Sequence, residues 1–211
     1  MKIKQLLAAT MLFSLAFAFN SCKKADTSSR DEIETTFELS GDQAIADNLT
    51  EDANDLFMQV AVEKNVSGNF GPNPGGATDQ FIPCATVTVT PTSGFPKTII
   101  IDFGTSCTYM GVTRSGKINI VLTDSVRSPG STATMTFDNY FVNLYKVEGT
   151  IVWTNTSTPG TRSWRREISG GKITAPNGNY WLHSGVKNVT QTEGVNTTTW
   201  MDDVFSITGN H

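Results

Sequence analysis

From Cys84 onward apolar and polar residues alternate with a period of two, and no other feature constrains the chain as tightly. Successive side chains of a strand point to opposite faces, so this pattern buries one face of a sheet and wets the other. Runs rich in Val, Ile, Thr and aromatic residues predict strands over Cys84–Thr90, Thr98–Phe103, Lys117–Thr123, Thr132–Phe137 and Val147–Thr154. Further strands are predicted over Arg162–Ile168, Lys172–Ala175, Tyr180–His183, Val186–Thr192 and Val204–Thr208. Turn clusters separate them: Ser128-Pro129-Gly130, Pro159-Gly160, Gly170-Gly171 and Pro176-Asn177-Gly178. Connections this short join antiparallel neighbours, because a parallel pair needs a long crossover. The fold expected over residues 84–211 is all-β, mainly an antiparallel β-meander forming a sandwich or open barrel.

One amphipathic helix is expected ahead of the sheet, within residues 40–66. From Asp42 to about Lys64, Ile45, Leu49, Ala53, Leu56, Phe57 and Val60 recur at helical spacing, and Ser40 or Asp42 offers an N-cap. Asp47, Glu51, Asp52 and Asp55 fall elsewhere on the wheel, where they read as a solvated face rather than a cation site. Residues 67–83 are dense in Gly, Pro and Asn and predict a loop. Residues 22–39 are expected to act as a tether, since Lys23 to Glu34 is polar and offers no apolar face to bury.

The first 21 residues have the zones of an export signal: Lys2 and Lys4, an apolar run from Leu6 to Phe19, then a small residue before Cys22. Phe19-Asn20-Ser21-Cys22 resembles a lipobox, where a bacterial signal peptidase cuts before a diacylated cysteine, so Cys22 is the expected lipid site. An ordinary cleavage site and an uncleaved anchor are the alternatives. With Cys22 acylated, Cys84 and Cys107 form an even pair in an oxidising compartment and are expected to bridge, against the alternative of two buried free thiols. Such a bridge meets a conflict in the first hairpin. Cys84 opposite Cys107 would set Thr88 against Phe103 and Val89 against Asp102, whereas the alternation wants Val87 and Val89 on the face of Ile99, Ile101 and Phe103. One extra residue reconciles the two, and Gly104 suits a bulge.

Several function classes find no support. The formal charge of −4, more acidic still once Lys2 and Lys4 leave with the signal, argues against nucleic acid as a partner. Gly111 to Ile118 mimics the spacing of a phosphate-cradling loop, but Ile118 stands where Ser or Thr must hold Mg²⁺, and a strand follows instead of a helix. His183 is the one plausible general base, within Tyr180-Trp181-Leu182-His183, and no nucleophile motif accompanies it; a hydrolase using it is the remote alternative. Neither His/Cys clustering nor a His-x-x-x-His helix supports zinc, so no metal or cofactor is expected. Asp202 and Asp203 are adjacent and would face opposite sides of a strand. The aromatic residues remain. Trp153 shares a strand face with Val147 and Ile151 and reads as core; Trp164, followed by Arg165, Arg166 and Glu167, reads as more exposed. Trp164, Trp181 and Tyr180 are the candidate ligand-binding residues, for a glycan stacked on their rings.

Three segments carry a family resemblance. Pro96 to Gly104 with Ser106-Cys107-Thr108, Arg114 to Ile118 and Thr136 to Asn143 resemble a family of uncharacterised cell-envelope lipoproteins from the Bacteroidota, and the similarity continues through Trp200 to Gly209. The resemblance implies a β architecture and a lipid-anchored location in the bacterial envelope, at the outer membrane, with the periplasmic or surface face open. It brings no activity. Members continue past the equivalent of Gly209 with further strands, so it implies a C-terminally truncated chain with an unpaired sheet edge. Asp124-Ser125-Val126 also resembles an O-glycosylation sequon of that phylum. The expected role is a non-enzymatic, lipid-anchored envelope protein, structural or ligand-binding, with a glycan-binding accessory protein as the alternative.

Overall fold

The structure, a computed structural model, describes residues 27–68, 82–197 and 200–210, with side chains from Ser40 onward except Trp200. The export signal, Cys22 and most of the loop expected over residues 67–83 lie outside the described residues. Compactness divides the chain after Gly41. The described part of the first unit is the opening stretch of helix α1 (Thr27–Glu63). The second unit, Asp42–His211, holds the rest of α1 and the whole sheet.

Helix α1 starts at Thr27 rather than near Asp42, so part of the expected tether is helical and neither Ser40 nor Asp42 is a cap. Adding a residue to an existing helix requires no new nucleation, and Arg30, Glu32, Glu34 and Glu38 favour the extension although that stretch has no apolar stripe. Beyond Asp42 the apolar stripe reads as expected: Leu49, Ala53, Leu56, Phe57 and Val60 are buried.

Among the described residues the sheet has nine antiparallel strands. They are β1 (Thr86–Thr90), β2 (Lys97–Asp102), β3 (Cys107–Tyr109), β4 (Val112–Leu122), β5 (Thr132–Val142), β6 (Tyr145–Asn155), β7 (Ser163–Thr174), β8 (Tyr180–Glu193) and β9 (Val204–Asn210). Each pairs with its neighbour in sequence, except that β2 and β3 both lie along β4. The sheet is open, with β1 and β9 at its edges. It is one sheet and not a sandwich, because α1 supplies the cover that a second sheet would give. Ile99, Ile101, Ile118, Ile120, Met135, Ile151 and Trp153 point inward and form a single apolar core with the helix stripe. Phe57 meets Trp153 edge to face at 6.1 Å.

Three departures from the alternation have local causes. Gly170-Gly171 is not a turn; it sits in a bulge inside β7, which runs unbroken through the two strands expected there. Gly149 has φ +116°, and a Cβ on it would lie 2.7 Å from Gly171 Cα, so the backbones of β6 and β7 approach closely at this bulge. Tyr180–Glu193 is likewise one strand where two were expected, and β3 was not expected at all. In the first hairpin the hydrophobic pattern prevails: Val87 opposes Ile101 and Val89 opposes Ile99. Cys84 and Cys107 are nevertheless bridged, with Cα atoms 5.5 Å apart. The turn between β2 and β3, with Gly104 at φ +62°, absorbs the offset.

Acidic residues of α1 face the sheet, which corrects the reading of a solvated face. The Asp52 carboxylate accepts hydrogen bonds from Arg114 Nε on β4 (3.0 Å) and Nη2, and from the Tyr140 hydroxyl on β5 (3.2 Å). Glu51 accepts from both terminal nitrogens of Arg166 on β7, at 2.7 and 2.5 Å, and from Lys187 on β8 at 2.6 Å. His183 Nε2 on β8 lies 3.9 Å from Asp47 Oδ1. The local pattern misleads because every one of these partners lies on a strand far along the chain. Arg114 and Arg166 are buried, and a buried guanidinium without a carboxylate is costly.

Hydrogen bonding by Arg166 holds the Glu51 carboxyl down at about 2 from the ordinary 4.5, against the upward pull of burial, with Lys187 assisting. A carboxyl held low stabilises the fold above its unfolded value, and that stability is lost as pH falls from about 4.5 towards 2. Asp55 has the opposite sign: burial, then Glu51 and Asp52, raise it, so its ionised form opposes folding as pH rises. Denaturation midpoints measured against pH are expected to fall steeply for the native chain in the acid window and less steeply for Glu51→Gln. Asp55→Asn is expected to leave stability at pH 7 unchanged or raised.

Candidate functional site

In a meander the connections alternate between the two ends of the sheet, so the β4–β5, β6–β7 and β8–β9 connections share one end. With the helix side chains Asn54 and Met58, and with Phe205 of β9, they enclose a cleft of about 680 Å³. Its size suits a small ligand or a short stretch of a polymer.

Asn155, buried at the end of β6, holds two of these connections. Its Nδ2 donates to Val126 O at 2.8 Å, its Oδ1 accepts from Ser157 N at 2.8 Å, and its backbone exchanges hydrogen bonds with Gly130 and Ser131. Val126 N and Arg127 N donate in turn to Val66 O and Ser67 O, just beyond α1. Ser157 Oγ donates to Ser163 O and accepts from Ser163 N, which ties the base of the Pro159-Gly160 turn. In the third connection Gln191 Nε2 donates to Asp203 Oδ1 at 2.7 Å, and Thr197 Oγ1 to Asp202 Oδ1 at 2.9 Å. Asp202 ends the 3₁₀ turn Trp200–Asp202, so the two aspartates lie ahead of β9, not on a strand, and each supports the loop.

The cleft is lined by aromatic and by basic residues. Trp164 on β7 is half-buried and meets Phe205, 39% exposed, with ring centroids 5.5 Å apart. Arg127 and Arg162 also line it, with hydroxyl and amide groups of Ser157, Thr158, Thr161 and Asn196. Burial first, and then the nearby charge of Arg162, lower the proton affinity of Arg127. Arg162 lies 3.8 Å from Asp203. Two buried polar atoms of cleft-lining residues, Trp153 Nε1 and Asn54 Oδ1, have no hydrogen-bond partner among the described residues.

Of the three ring residues singled out in the sequence, Trp164 alone borders this cleft. Tyr180 and Trp181 border a second one, of about 580 Å³, near the opposite end of the sheet, with Tyr145 and the turn around Asn177. Being consecutive on β8 they point to opposite faces and share no platform. Lys172 Nζ stands 4.4 Å over the Tyr180 ring, and Trp181 packs edge to face on Tyr145 at 6.3 Å. Trp153 is core, 3% exposed, as its strand face implied. His183 is 4% exposed and borders neither cleft. The phosphate-loop mimic is the β3–β4 turn and strand β4, with Lys117 Nζ 2.7 Å from Asp102 Oδ2 across the sheet. Ser125 Oγ, in the sequon-like segment, is 3.0 Å from Ser128 Oγ. Among the described residues no group of three or more His, Cys, Asp or Glu side chains is placed to hold a metal ion.

Sequence reasoning missed Phe205, Arg127 and Arg162. The two arginines carried a usable signal, since each flanks a Pro-Gly turn and these turns share one end of a correctly counted meander. Removing Trp153 is expected to cost about 3–5 kcal/mol, and Trp164→Ala about half of that or less, in equilibrium denaturation. Equal costs would mean that Trp164 is core and not a surface ring. No family model matches the chain, and neither the curated proteins nor the solved structures contain a match to it.

Proposed function

We propose that this chain is a non-enzymatic, lipid-anchored protein of the bacterial cell envelope whose sheet binds a carbohydrate in the Trp164 cleft. The observation that carries the binding reading is the Trp164–Phe205 pair at a cleft that hydroxyl, amide and guanidinium groups also line. A sugar has apolar C–H faces and a belt of hydroxyls, and it is recognised by rings beneath it and by hydrogen-bonding groups around it. The loops that carry those groups are held by Asn155, Ser157 and Gln191, so little ordering entropy is lost on binding.

The location rests on the charged and apolar zones ahead of Cys22 and on its lipobox-like context; the Cys84–Cys107 bridge is compatible with an oxidising compartment. An acyl chain on Cys22 is the anchor proposed; among the described residues no helix is long and apolar enough to cross a membrane. The hydrolase reading draws nothing from His183, which is buried beneath α1 beside Asp47.

On a glycan array the full-length protein is expected to bind at least one class of oligosaccharide, and Trp164→Ala to lose that signal while remaining folded. An array with no signal, or a signal that survives Trp164→Ala, would remove the carbohydrate reading. Separately, in detergent phase partitioning Cys22→Ala is expected to shift the protein from the detergent to the aqueous phase. Unchanged partitioning would remove the lipid anchor.

A further inference from the structure

The charge of the Trp164 cleft runs against that of the chain. The sequence has 20 Asp and Glu against 16 Lys and Arg, yet the described residues lining this cleft include Arg127 and Arg162 and no carboxylate. Asp203, outside the lining, stands 3.8 Å from Arg162. Both guanidiniums are carried on loops pinned to the sheet. Arg127 follows Val126, whose carbonyl is held by Asn155; Arg162 opens onto β7, and its carbonyl accepts from Gln191 N at 2.8 Å.

Two like charges are thus held beside one opening, close enough that Arg162 and burial together work against the charge on Arg127. A guanidinium pairs with a carboxylate or sulfate through parallel N–H donors. Neutral sugars require mixed donors and acceptors. Two guanidiniums and no carboxylate among the lining side chains shift that balance towards a ligand that carries negative charge.

We propose that the cleft selects acidic saccharides: a sugar ring lies against Trp164 and Phe205 while its carboxylate or sulfate sits between Arg127 and Arg162. This rests on the carbohydrate reading above and adds the chemical class of the ligand.

The test is titration calorimetry on the full-length protein in detergent with three probes. These are an oligogalacturonate, the same oligosaccharide with its carboxylates methyl-esterified, and a sulfated dextran oligosaccharide. At least one acidic probe is expected to bind about tenfold or more tighter than the neutral ester, and the two acidic probes tell carboxylate from sulfate. Arg127→Gln with Arg162→Gln is expected to bring acid and ester within about twofold of each other while leaving the weaker ring-dependent binding. Arg127→Gln alone, at an exposed side chain, is expected to lose part of the preference, and it guards against misfolding of the double variant. Equal binding of acid and ester by the native chain, lost in Trp164→Ala, would overturn the acidic preference and leave the carbohydrate reading standing. A preference that survives both arginine substitutions would overturn the assignment of the subsite. Binding of none of the three probes would overturn the inference together with the reading it rests on.

Discussion

The seating of α1 on the sheet is the interaction on which the rest depends. An open sheet with one apolar face cannot stay exposed, and here the cover is a helix whose Leu49, Ala53, Leu56, Phe57 and Val60 complete the core around Ile118, Ile120, Met135 and Ile151. At about 25 cal/mol per Å² of apolar surface, burial on this scale outweighs any single polar contact in the molecule. The Phe57–Trp153 contact lies within it.

Apolar burial alone leaves a helix free to slide or turn on a sheet, and the charged contacts remove that freedom. Asp52 reaches β4 and β5, Glu51 reaches β7 and β8, and Asp47 lies near His183 on β8. Burial works against the positive charge of Arg114, and its bond to Asp52 overcomes this and leaves its proton affinity raised. A buried ion pair adds little net stability against an apolar pair of the same shape, but one partner without the other is severely destabilising. Consecutive acids on one helix, matched to cations on separate strands, thus disfavour any other register of helix on sheet. That placement brings Asn54 and Met58 to the cleft.

The cleft follows from topology as much as from composition. Antiparallel order sends the β4–β5, β6–β7 and β8–β9 connections to one end, and Asn155 binds the first to the second. Much of this was within reach of the sequence. The inward faces of β2, β4, β5 and β6 follow from the alternation, Trp153 was correctly read as core, and Trp164 as wetter. The error with the largest consequence was Gly170-Gly171. Read as a turn, it splits β7 in two and sends the 175–179 connection to the wrong end. A glycine pair looks the same locally in a bulge and in a turn. What separates them is Gly149 on the neighbouring strand, whose backbone comes close enough to exclude a Cβ.

By itself the sequence determined the period-two faces, the antiparallel pairing of near neighbours, the apolar stripe of α1 and the cysteines available to bridge. All of these depend on residues close along the chain, where backbone geometry turns spacing into direction. The tertiary structure alone decided that Glu51 and Asp52 are ion-paired to the sheet, that Phe205 stacks on Trp164, and that two arginines border one opening. Arg114 lies 62 residues from Asp52, and Lys187 lies 136 from Glu51. Contacts at such separations arise only when strand order and the angle of the helix bring remote side chains together, and no local pattern carries that information.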